Sequence, residues 1–181
     1  GAQVACGVYI MIVRGDVFLF TDATVNIEMD SEKMSEIAIL ANDFAKTIGI
    51  EPKVALLSFS NFGSTPHPKS KMVSDALRLI QKKRPDMIVD GEMQADTAIV
   101  EQLVEERYPF SRVKGANVLV FPSLESANIS YKLVARLSDG TAIGPILLGM
   151  GAPVHVLQAG DDVEDIVAIA AVAAMDAQSR G

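Results

Sequence analysis

Three short, almost wholly apolar runs set the architecture: "VALLSFS" (54–60), "DMIVD" (86–90) and "NVLVF" (117–121). A strand with no polar face must be covered on both sides, as happens inside a parallel sheet flanked by helices. Each run leads into a stretch of helical spacing, from about Lys69 to Lys83, Ala95 to Arg107 and Glu125 to Leu137. Repeated strand-then-helix units joined by short links imply right-handed crossovers. The expected fold is therefore three-layer α/β/α with a mainly parallel sheet.

The flanking segments extend this plan. "GVYIMIV" (7–13) and "VFLFT" (17–21) are separated by Arg14-Gly15-Asp16 and read as a hairpin. After Asp30, Met34, Ile37, Ala38, Ala41, Phe44, Ala45 and Ile48 mark a helix that ends at Gly49. "GPILLGM" (144–150) predicts a short fourth strand. In "PVHVLQAGDDVEDIV" (153–167), Ala159-Gly160 can turn the chain, and Asp161 or Asp162 can cap a last helix from about Val163 to Gln178.

That helix contains "IVAIAAVAAM", apolar on nearly every side, and such a helix needs cover all round. The expected division is 1–160 as one subdomain and 161–181 as a helix that docks on another subdomain or subunit. Gly1 is not a native start, so the chain is expected to be cut from something longer or to carry a tag scar.

Composition narrows the partners. At 181 residues there is enough chain for one good core. The net charge of −7 argues against nucleic acid or an anionic membrane as a main partner. The longest apolar run, Ile166 to Met175, falls short of the ~20 residues a bilayer span needs. The single cysteine, Cys6, excludes an internal disulfide framework and points to a reducing, cytoplasmic setting.

Ligands of parallel sheets gather beyond the carboxyl ends of the strands. Four segments are expected there: Thr21-Asp22, 60–70, 90–96 and 121–132. The loop Ser60-Asn61-Phe62-Gly63-Ser64 can hold an oxyanion on backbone N–H groups, or can simply cap the next helix. It matches no phosphate-loop pattern. Asp90, Glu92 and Asp96 can bind Mg²⁺, or cap the following helix, which is the plainer reading. Asn128 and Lys132 lie one helical turn apart and can point an amide and an ammonium into a cleft. His67 has no orienting partner nearby in sequence and His155 sits in the apolar "PVHVL", so both read as structural. No metal-ligand spacing stands out, and the residues by themselves specify no reaction.

Six blocks, in order, carry a resemblance: "VALLSFSNFGS", "PDMIVDGEMQADTAIV", "ANVLVFPSLESANISYKLVARL", "AIGPILLGM", "PVHVLQ" and "VEDIVAIAAVAAMDAQ". They resemble the phosphotransacetylase domain, in particular the copy fused to the C-terminus of bacterial hybrid NADP-dependent malic enzymes. The resemblance covers nearly the whole chain and corresponds to the second half of that domain plus its C-terminal helix. It implies the phosphotransacetylase and isocitrate-dehydrogenase type of fold.

In active phosphotransacetylases the loop before the last helix typically reads D-L-S-R-G, with the Ser and Arg in the acetyl-transfer site and an assisting Asp a few residues on. Here Gln158 and Ala159 fall at the Ser and Arg positions, and Asp165 matches the Asp. The resemblance therefore implies no catalytic residue in this chain. It implies a ligand site drawn from Asn61, Ser64, Asn128, Lys132, Gly144, Pro145, Gln158 and Asp165, with no metal. The ligand would be acetyl-CoA or CoA, acting as an effector of a malic enzyme that itself carries NADP and a divalent metal. Homo-oligomerisation through this domain is also implied. The alternative is an active phosphate acetyl- or butyryltransferase.

Overall fold

The computed structural model describes residues 3–179. The expectation for Gly1, and the last two residues of the 161–181 segment, lie outside them. Strands β1 (Cys6–Val13) and β2 (Asp16–Thr21) form the predicted hairpin, with Val13 paired to Asp16 across a two-residue turn. Arg14 and Gly15 both have positive φ, 55° and 91°. Such a turn matches the twist of the strands it joins.

The chain continues through α1 (Ser31–Thr47), β3 (Val54–Leu57), α2 (Pro68–Lys83), β4 (Val89–Met93), α3 (Ala95–Ile99) and α4 (Glu101–Arg107). It ends with β5 (Val118–Val120), α5 (Leu124–Leu137), β6 (Thr141–Leu148) and α6 (Val163–Ser179). The sheet has six strands in the order β4-β3-β5-β2-β1-β6. β3 runs parallel to β4 and β5, and β5 to β2, while β1 is antiparallel to both its neighbours. Five strands therefore share one direction, and β2 is among them.

The period-two alternation of each strand divides its side chains between two cores. Val8, Ile10, Leu19, Val54, Leu56, Val118 and Val120 pack on α1, α2 and α6. Tyr9, Met11, Phe20, Ala55, Leu57, Leu119 and Phe121 face α3 and α5. The three predicted layers are present.

Several boundaries differ from expectation. β4 starts and ends three residues later than "DMIVD", so Glu92 joins Asp90 within the strand, where both tether loops from neighbouring elements. The helix predicted from Ala95 to Arg107 is two, broken at Val100, whose backbone is extended (φ −87°, ψ 98°). β6 is not short: its eight residues pair along β1 from Cys6 to Ile12. Gly144-Pro145 suggests a strand end, yet it lies inside this strand. Gly144 has φ 151°, and a Cβ there would stand 2.8 Å from the Val8 carbonyl oxygen. The glycine serves a close strand approach.

α6 buries Ile169 and Val172 against this chain's own core and leaves Val163, Ile166, Val167 and Met175 exposed. Its cover is thus one-sided. His155 Nε2 lies 3.7 Å from an Asp176 carboxylate oxygen, joining the β6-side loop to the end of the helix. Among the described residues no helix is long and apolar enough to cross a membrane.

Cys6 is completely buried, and burial pushes its thiol up to about 12, with the nearby Asp22 carboxylate adding to the effect and a Thr21 hydrogen bond opposing it. The thiolate is the reactive form. Native protein at pH 8 is therefore expected to leave Cys6 unmodified by a thiol-specific disulfide reagent, with one equivalent titrating after denaturation.

Candidate functional site

A cavity of about 530 Å³ lies over β1 and the start of β6, on the α5 side of the sheet. That volume is in the range of small-molecule sites. α5 supplies Tyr131, Lys132 and Arg136, β1 supplies Tyr9, and the loop into α6 supplies Gln158, Asp162 and Asp165. This cavity runs along the face of the sheet, down to Ala142 near the amino end of β6. A second cavity of about 530 Å³, lined by Gly63, Thr65, His67, Ser70, Ser74 and Glu92, lies at the carboxyl ends of β3 and β4, where ligands were expected.

The tyrosine rings stack with centroids 3.9 Å apart and an interplanar angle of 16°. Tyr131 donates its hydroxyl proton to the Tyr9 oxygen at 3.1 Å. Gln158 Nε2 donates to the same oxygen at 3.1 Å and to the Gly144 carbonyl at 3.2 Å. Burial is the main cause holding the Tyr9 phenol well above its usual range, so it stays protonated and neutral.

The loop before α6 is held by its own acids. Gly160 turns it with φ 102°. Asp161 accepts from Gln158 N, and Asp162 accepts from Glu164 N and Asp165 N at the start of the helix. The N–H groups that would attract an anion are thus served by Asp162, which the helix dipole favours there. The segment 153–165 contains no Lys or Arg. Among the described residues lining the cavity, the cations are Lys132 and Arg136, both from α5, and the carboxylates are Asp162 and Asp165.

The sequence-derived site residues fall into two groups. Lys132, Gln158 and Asp165 line the cavity, and Gly144 touches it through its bond to Gln158. The Pro145 carbonyl accepts from Val156 N and so steadies the same loop. Asn128 lies one turn above Lys132, and its amide reaches the Ala23 carbonyl at 3.4 Å. Ala159 is exposed on the loop. Asn61 and Ser64 belong to a separate assembly over β3 and β4: Asn61 pairs reciprocally with Gln94, and Ser64 Oγ accepts from Asn61 N.

Glu92 organises that assembly. Almost fully buried, its carboxylate accepts from Ser60 Oγ, Gly63 N and Ser74 Oγ. Asp90 accepts from Ser111 Oγ and Arg112 N, while Asp96 accepts from the adjacent Thr97 N at the start of α3. The expectation that these acids cap the following helix is therefore corrected: the N-cap of α3 is Gln94, which makes no side-chain cap bond, and Asp96 sits within the first turn. Among the described residues there is no group of three or more His, Cys, Asp or Glu arranged to hold a metal. His67 is the N-cap of α2, its Nδ1 accepting from Lys69 N.

Residues 1–174 match the family described as Phosphate acetyl/butaryl transferase. The chain belongs to this family. It is 42% identical over 178 residues to a phosphate acetyltransferase of Bacillus subtilis, covering 98% of this chain and 55% of that protein. It is also 42% identical over 173 residues to an NADP-dependent malic enzyme of Escherichia coli, covering 94% of this chain and 23% of the enzyme. The solved structure of a phosphotransacetylase from Streptococcus pyogenes superposes with a TM-score of 0.94 at 38% identity, covering 99% of this chain and 55% of that one. The chain thus spans about half the length of the acetyltransferases and about a quarter of the malic enzyme. The phosphate acetyl/butaryl transferase fold accounts for the layers, the mostly parallel sheet and the loop leading into α6.

Reading residues in order missed Tyr9, Tyr131 and Arg136. One signal was present: Tyr9 puts the only hydroxyl into "GVYIMIV". A buried tyrosine hydroxyl needs a polar partner, and here those partners come from positions 131 and 158.

Proposed function

We propose that this domain binds an acyl-CoA, with acetyl-CoA as the leading candidate, and does not itself transfer the acyl group. The supporting observation is the neutral pair Gln158-Ala159 in a loop without a cation. Acyl transfer to phosphate brings two anions together and needs fixed positive charge or donors where charge develops. This loop offers instead the carboxylates of Asp161, Asp162 and Asp165, and an amide already bonded to Tyr9 and Gly144.

In this reading the domain is the regulatory part of a cytoplasmic, NADP-dependent malic enzyme. Acetyl-CoA or CoA is its effector, and the domain also joins subunits into a homo-oligomer. NADP and the divalent metal belong to the oxidoreductase part of such an enzyme, outside this chain. Ligand control of that part requires unequal binding to two global states.

A second reading, an active phosphate acetyl- or butyryltransferase, draws on Lys132 and Arg136 facing Asp165 across the cavity. Measuring CoA release from acetyl-CoA plus phosphate on the full-length protein separates the two. Turnover below ~1 s⁻¹, the low end of ordinary enzymes, together with a thermal shift by millimolar acetyl-CoA, is the expected result. Brisk phosphate-dependent turnover would establish the transferase. Neither turnover nor shift would leave only an assembly role.

A further inference from the structure

We infer that Tyr9 is the residue that recognises the acyl carbonyl, its hydroxyl proton being aimed into the cavity as a donor. This rests on the acyl-CoA reading above and adds the group that would tell a thioester from other sulfur-linked CoA compounds.

The argument starts from hydrogen-bond capacity. A phenolic oxygen carries one proton and can accept about two hydrogen bonds. Tyr9 oxygen accepts from Tyr131 O–H and from Gln158 Nε2, both at 3.1 Å. Both bonds found at this oxygen among the described residues are received by it, and none is donated by its own proton. Hydrogen bonds received by a hydroxyl polarise it and strengthen the bond it donates. The rings are clamped by their 3.9 Å stack, which fixes the donor in place. The hydroxyl stays protonated because burial disfavours the phenolate.

The cavity's charges select the acceptor. Lys132 and Arg136 balance Asp162 and Asp165, so an anionic group gains no net attraction. A neutral carbonyl oxygen suits a neutral phenol donor. Ala135 and Ala142 add small apolar surface on the same cavity, suited to a short acyl chain.

The test compares acetyl-CoA with ethyl-CoA, a thioether with CH₂ in place of the carbonyl, by calorimetry on the full-length protein. Wild type is expected to favour acetyl-CoA about five- to tenfold, as for one directed neutral hydrogen bond. In Tyr9→Phe the ratio falls to about one. In Tyr131→Phe, which leaves the Tyr9 proton in place, it stays above about twofold. The ratio is internal to each variant, so a general loss of affinity does not mimic the effect. Acetyl-CoA binding with a ratio of one in wild type, or a ratio that survives Tyr9→Phe, overturns the inference and leaves the acyl-CoA reading standing. No binding of acetyl-CoA by wild type overturns both.

Discussion

Gln158→Ser combined with Ala159→Arg should raise phosphate-dependent acetyl transfer by the full-length protein at least tenfold over wild type. The double change supplies the hydroxyl and guanidinium that the family resemblance implies for these two positions in an active transferase. In wild type the Gln158 amide spans from Tyr9 to Gly144 and Ala159 contributes only a methyl group. The Arg would enter a loop whose carboxylates are unopposed within their own segment, and Asp165 already lines the cavity nearby. One well-placed donor at a centre of developing charge is worth ~10²- to 10³-fold in rate. Tenfold allows for imperfect placement by a loop tuned to the shorter residues. Initial rates of acetyl phosphate formation on both proteins, with Ala159→Arg alone as an intermediate, check this. A double variant no faster than wild type would show that the neutral pair is not what limits transfer.

Asp22→Ala should lower the melting temperature by about 10 °C. Asp22 is completely buried at the end of β2. One carboxylate oxygen accepts from Gly7 N, Thr24 N and Val25 N, and the other from Asn26 N and Asn26 Nδ2. The group stitches the turn after β2 to the first residues of β1. Alanine leaves the buried Gly7 N–H without an acceptor and releases the turn. Hydrogen bonds to a charged group are worth ~1.5–3 kcal/mol, and an orphaned buried donor costs ~1–3 kcal/mol. Water can serve the partly buried donors, so the net loss is about 3–4 kcal/mol. At ~2–4 °C per kcal/mol for a chain of this size, that is about 10 °C. Asp22→Asn keeps one acceptor oxygen and should lose roughly half as much. Thermal unfolding of the three proteins provides the comparison.

The contrast between these two sites explains what could be read in advance. The hairpin, α1, α2, α5 and α6 follow from local periodicity, caps and Gly or Pro breaks, all within a window of a few residues. β4 was placed too early because its acids look like loop residues. They are tolerated in the strand because Ser60, Gly63, Ser74, Ser111 and Arg112 supply donors from distant segments. β6 was read as starting at Gly144, whereas it starts at Thr141 and carries Gly144 inside it, where the glycine lets the strand approach Val8 on β1. The cavity was the least legible part. Tyr9 and Tyr131 counted as core residues, which they are, and nothing in their spacing reveals that they meet Gln158. Asn61 and Ser64 have the polar character of site residues but serve a different loop assembly. Lys132 was reached from its one-turn spacing with Asn128, whereas Asp165 was found only through the family pattern.

The place of β1 within the sheet bears on the order in which the molecule assembles. Its hairpin with β2 closes over two residues, a local event of microseconds. Its other edge waits for β6, more than a hundred residues later, with the long loop closure that entails. During synthesis Tyr9 emerges before its partners, lacking its stacking partner until α5 forms and its amide donor until Gln158 appears. The Tyr9–Tyr131–Gln158 cluster is thus among the last parts of this polypeptide to be completed, and lesions in β6 should disturb it before they disturb the hairpin.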